Sequence, residues 1–79
     1  MSQVFIRVDR GGYALSDQNE ATALAAGCVG LSFGEFEPKD AVWVGHSTTG
    51  WTGVYRNGER LKRFQSFERA LKFAQRAAA

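Results

Sequence analysis

Cysteine, proline and histidine each occur once in this chain of 79 residues, and each scarcity closes off a class of function. A lone Cys28 excludes an internal disulfide and fits a reducing compartment. One cysteine and one histidine are too few ligands for a zinc-type centre. His46 is the only histidine available to a Ser/His/Asp arrangement, and it stands in a polar turn beside Ser47, Thr48 and Thr49. Cys28 falls on the expected packed face of a short helix and reads as an inert thiol. No glycine-rich phosphate loop of dinucleotide or Walker type is present. Glu35, Glu37 and Asp40 cluster around Pro38 without the spacing of a calcium loop, so they read as a solvated acidic edge. No apolar run approaches the roughly 18 residues of a membrane helix. Met1-Ser2-Gln3 lacks a basic start, and Arg7 interrupts Val4-Phe5-Ile6 before a signal-peptide core can form. The expectation is a cytoplasmic protein with no enzyme activity, no cofactor, no metal and no membrane partner.

What is present is a divided charge. Up to Gly50, six acids stand against three bases; from Trp51 onward, seven bases stand against Glu59 and Glu68. The overall charge of +2 conceals a positive C-terminal third, and a one-signed field of this kind bears on partners more than on fold. The chain is short enough that it buries only about 60% of its unfolded surface, which gives one thin core and a single domain over residues 1–79.

The periodicities predict an α+β fold. Val4, Ile6 and Val8 alternate as a strand, Asp9-Arg10-Gly11-Gly12 reads as a turn, and Tyr13-Ala14-Leu15 as a short return strand. Ser16 and Asp17 offer helix N-caps, and Glu20 follows Asp17 at capping-box spacing. Ala21, Leu24, Ala25 and Cys28 would form the inward stripe of that helix, with Gly27 as its stop. Between Val29 and Lys39 a strand or an ordered loop is possible, and Ala41 to Val44 reads as a buried strand. Asn57-Gly58 is a strong two-residue hairpin signal joining strands at Trp51 to Arg56 and Glu59 to Phe64. Ser66 caps a final helix with Phe67, Ala70, Leu71, Ala74 and Ala78 inward. The predicted order is ββα(β)ββα: a small antiparallel sheet of four to five strands with two helices on one face.

A regular Asn57-Gly58 hairpin pairs Arg56 with Glu59, Tyr55 with Arg60, Val54 with Leu61, Gly53 with Lys62, Thr52 with Arg63 and Trp51 with Phe64. Either hairpin face could then pack on the final helix. The need to fill a small core favours Trp51 and Phe64 inward, with the cations snorkelling around them. The opposite arrangement turns Val54 and Leu61 inward and leaves aromatics interleaved with cations outside, a combination suited to bases and phosphates. On the final helix, Arg69, Lys72 and Arg76 share a polar face, and Phe73 falls off the main apolar stripe.

The stretch from Trp51 to Ala78 resembles the strand-strand-helix unit of ethylene-response-factor and phage-integrase arm-binding domains. The matching residues are Gly53-Val54, then Phe64, Ser66, Glu68, Ala70, Ala74, Ala77 and Ala78. The resemblance implies a three-stranded sheet seated in the DNA major groove with strand arginines on the bases. Here the family's Gly-Val-Arg becomes Gly53-Val54-Tyr55, displacing the cation to Arg56. In size and kind, the chain also looks like the small phage and plasmid proteins that include the anti-CRISPR proteins. That likeness implies docking on a larger host protein or ribonucleoprotein complex, as a monomer or weak homodimer. The expected contact residues are Tyr55, Arg56, Arg60, Lys62, Arg63, Arg69, Lys72, Phe73 and Arg76. The alternative is direct binding of DNA or RNA by the same basic hairpin and helix.

Overall fold

A computed structural model describes residues 3–8, 15–32, 38–46 and 51–78. Strand β1 (Val4–Arg7) leads to helix α1 (Asp17–Ala25) and strand β2 (Val29–Leu31). Strands β3 (Val42–His46), β4 (Thr52–Arg56) and β5 (Glu59–Phe64) follow, and helix α2 (Phe67–Ala78) closes the described chain. The five strands form one sheet in the order β2-β1-β3-β4-β5.

The fold is α+β with the expected strand number, but the sheet is mixed. Only β3, β4 and β5 are antiparallel neighbours; β1 runs parallel to both β2 and β3. The cause lies in the connection. A helix between β1 and β2 carries the chain back to its starting end, whereas a tight hairpin would have reversed it. The expected return strand is not formed at Leu15, which is buried outside any strand. Tyr13, Ala14 and the Asp9 to Gly12 turn lie outside the described residues, as do Phe33 to Glu37 and the Ser47 to Gly50 segment.

One sheet face makes the core. Val4, Ile6, Val42, Val44, Thr52 and Val54 alternate onto it and are buried. Helix α2 lies across β1, β3, β4 and β5 on Ala70, Leu71, Ala74 and Ala78. Three alanines in that stripe let the helix sit close to the valines, so a small chain reaches interior packing without large side chains. The hydroxyl of Ser66 accepts from the backbone N–H of Arg69 at 3.3 Å, as its cap position requires.

Helix α1 occupies the same side more lightly. Ser16 is its N-cap, accepting from the Asn19 N–H. Its C-terminus closes by N–H groups of Gly27 and Cys28 donating to the carbonyls of Leu24 and Ala23. Gly27 has φ +98, the left-handed conformation this cap demands. The predicted stripe is corrected: Ala21, Leu24 and Ala25 are exposed, and Ala23 is the helix's buried residue. In an alanine-rich helix, side chains of one size cannot signal which face turns inward.

The hairpin turn forms as expected, with Asn57 and Gly58 both at positive φ. Asn57 also clasps Asp40, donating from Nδ2 to its carboxylate at 2.7 Å and accepting the Asp40 N–H at 3.0 Å. Beyond two pairs, however, the predicted register fails. Tyr55 faces Arg60, but Val54 faces Lys62, Gly53 faces Arg63 and Thr52 faces Phe64. Leu61 is bulged out of the ladder and 39% exposed. The bulge exchanges a leucine for a larger ring: Phe64 turns to the helix side, where it meets Phe73 with centroids 5.5 Å apart.

Candidate functional site: the helix-free sheet face

The residues between the buried ones alternate to the opposite face of the sheet, away from both helices. In register across four strands stand Phe5 on β1, Trp43 on β3, Tyr55 on β4 and Arg60 on β5. Val29 on β2 completes that row. Two residues along, Gly45, Gly53 and Arg63 are aligned, and Arg7 on β1 is paired with Leu31 on β2. The middle of this second row carries no side chain, and cations stand on either side of it.

The rings and guanidiniums are in contact. The Phe5 and Trp43 centroids lie 5.4 Å apart at 37°. The Arg7 guanidinium sits 4.8 Å from the Trp43 ring centre and donates from Nη1 to the Ser32 carbonyl at 3.1 Å. Arg63 sits 4.9 Å from the ring centre of Trp51, which precedes β4. Contacts of this kind hold a cation against an aromatic face. Tyr55 folds along its own strand: a Cβ added to Gly53 would come within 2.5 Å of the Tyr55 hydroxyl and 2.6 Å of Cζ. Glycine at 53 is what lets that ring lie down against the sheet.

Val54 is fully buried, while Trp51 and Tyr55 alternate to the side away from the helices. The expectation that Trp51 and Phe64 pack inward together is therefore overturned. The bulge separates them, sending Phe64 to α2 and leaving Trp51 on the other face with Arg63. The core is filled by valines and alanines and does not need the indole.

The expected contact residues do not form one surface; the sheet divides them. Tyr55, Arg60 and Arg63 are on the helix-free face. Lys62 is on the helix side, its ammonium 5.4 Å and 5.8 Å from the ring centres of Phe64 and Phe73. Phe73 is a half-buried packing partner of Phe64, so it is no protruding anchor. Arg69, Lys72 and Arg76 are exposed on α2, behind the sheet. Arg56 is structural: Nη2 donates to the Ala77 carbonyl at 2.8 Å, a cation at the negative end of the α2 dipole, and its Nε is buried without a partner. Phe5, Arg7 and Trp43 were missed. Their signal was available, because inward Val4, Ile6, Val42 and Val44 force the residues between them outward.

Other parts of the described residues carry less chemistry. No group of three or more His, Cys, Asp or Glu is placed to hold a metal among them. Asp40 is the described member of the acidic cluster and is engaged with Asn57. A groove between the ends of α1 and α2 includes Gln3, Cys28, Gln75 and Ala78; burial pushes the Cys28 thiol up from its ordinary value, which keeps it protonated and unreactive. Among the described residues no helix is long and apolar enough to cross a membrane. Set beside known proteins, the chain matches no family model, no curated protein and no solved structure.

Proposed function

We propose that this chain is a non-catalytic, cytoplasmic binding protein that takes nucleic acid on the helix-free face of its sheet. The observation that carries the reading is the row of Phe5, Trp43, Tyr55 and Arg60 with Arg63 against Trp51 beside it. Among the described residues, the charged side chains on this face are Arg7, Arg60 and Arg63, with no carboxylate. Aromatic faces receive bases, and arginines receive phosphates. The proposed test is anisotropy of labelled nucleic acid with the native chain, Arg60→Gln/Arg63→Gln, and Arg69→Gln/Lys72→Gln/Arg76→Gln. The hairpin pair abolishes binding on this reading, and the helix triple retains it. Equal losses from the two sets would reject the face as the site.

A second reading is docking on a host nucleic-acid-handling complex in the manner of the anti-CRISPR proteins, as an inhibitor from a phage or mobile element. It is favoured by the composition of the same face, since Trp, Tyr and Arg also dominate protein interfaces. A host complex that co-purifies with the chain, together with no nucleic-acid binding, would establish it.

A further inference from the structure

The dimensions of the helix-free face narrow the ligand, given the reading above that the face takes nucleic acid. We infer that it accepts single strands and not duplex, holding unpaired bases against the Phe5-Trp43-Tyr55 row and phosphates on Arg60 and Arg63.

Width is the first argument. Five strands about 4.8 Å apart put the outer two about 19 Å from one another, and the B-DNA major groove is about 12 Å wide. A three-stranded sheet spans about half that distance and can enter a groove. Here β3, the third strand of the C-terminal meander, is hydrogen-bonded on its far side to β1, which is followed by β2. The added strands stand where the groove walls would be.

The second argument is the attitude of the rings. To read a duplex, side chains must project and reach base edges, because base faces are hidden in the stack. Tyr55 lies down over Gly53, Trp43 is flanked by Phe5 and Arg7, and both residues are half-buried. Such rings present surfaces, not fingers. Splayed, unpaired bases are the nucleic-acid form whose faces are free to meet them.

The third argument is the placing of charge. Arg60 ends the aromatic row, and Arg63 is one strand beyond the paired glycines Gly45 and Gly53. A strand crossing the sheet from β1 toward β5 would lay bases over the rings and reach the two cations with its backbone. Two phosphate contacts, at Arg60 and Arg63, predict a log–log salt slope of about −1.4 for a single strand.

The experiment uses the full chain with labelled oligo-thymidine, oligo-uridine and a duplex of equal length, read by anisotropy and by quenching of tryptophan emission. Single strands bind at least about tenfold tighter than duplex, with quenching. Tyr55→Ala weakens single-strand binding about tenfold. Arg63→Gln, at an exposed position that leaves the fold intact, makes the salt slope shallower by about 0.7. Duplex binding as tight as single-strand binding, or binding without quenching, overturns this inference and leaves nucleic-acid binding standing. No binding to any of the three probes overturns both.

Discussion

The two faces of this sheet are built from different alphabets. The covered face is aliphatic at its centre, Val4, Ile6, Val42, Val44 and Val54 against Ala70, Ala74 and Ala78, with Phe64, Phe67 and Phe73 packed at its border. The other face is aromatic and cationic: Phe5, Trp43, Trp51 and Tyr55 with Arg7, Arg60 and Arg63. In a chain this short, large rings would be the economical way to fill a core. Here both tryptophans, Phe5 and Tyr55 stand on the far side while alanines carry the centre of the helix contact, so the sheet separates much of the aromatic surface from the core. One arginine marks the boundary: Arg56 is spent on the α2 terminus, while Arg63 is held on an indole.

Substitutions can break this comparison. The largest effect is expected from Ile6→Ala, which empties a site with no exposure; a loss of about 2–5 kcal/mol unfolds most of a domain with so small a core, as a denaturant midpoint would show. Next, Arg56→Met removes the charged hydrogen bond to Ala77 and costs about 1.5 kcal/mol, whereas Arg63→Gln changes stability by less than about 0.5 kcal/mol and acts on binding. Thermal melts beside binding titrations distinguish the two arginines; equal destabilisation would erase the division of labour.

Deleting Leu61 is a sharper test with a smaller effect. Removing one residue from a strand normally turns every later side chain to the wrong face. Here the bulged residue is removed, so Lys62, Arg63 and Phe64 keep their partners Val54, Gly53 and Thr52. The deletion costs less than about 1 kcal/mol and preserves binding; the bulge is a tolerated insertion in this sense. A collapsed fold or lost binding would show that the bulge itself is required.

The smallest effect concerns pH. Burial raises the Cys28 thiol above its ordinary 9.0, so in alkali the folded chain keeps a proton that the unfolded chain has released. This contribution is complete below about pH 9 and is lost as pH rises through the folded value. Cys28→Ala flattens that part of the stability profile, measured by denaturation across the alkaline range.

Much of the fold was legible from local signals. Alternation marked Val4 and Ile6 as inward on β1, though Val8 of the same pattern is exposed; the apolar run at Ala41 to Val44 marked β3, Asn57-Gly58 marked the hairpin, and Ser66 with the Phe67, Ala70, Leu71 and Ala74 spacing marked α2. What escaped was non-local. The parallel pairing of β1 with β3 depends on contacts between residues far apart in sequence, and it is this pairing that brings Phe5 beside Trp43. The bulge depends on the pull of Phe73 upon Phe64, which no inspection of the hairpin alone supplies. The aromatic–cationic surface was therefore foreseen at Tyr55, Arg60 and Arg63 and missed over its other half.

The interior position of β1, between β2 and β3, has a consequence for how the chain assembles. β1 cannot pair on either edge until β2 and β3, both later in the chain, are available. The β3-β4-β5 meander and α2 are joined by short connections and lose less chain entropy on closing. The meander and α2 are thus expected to form before β1 is drawn in beside β3, the pairing that brings Phe5 to Trp43.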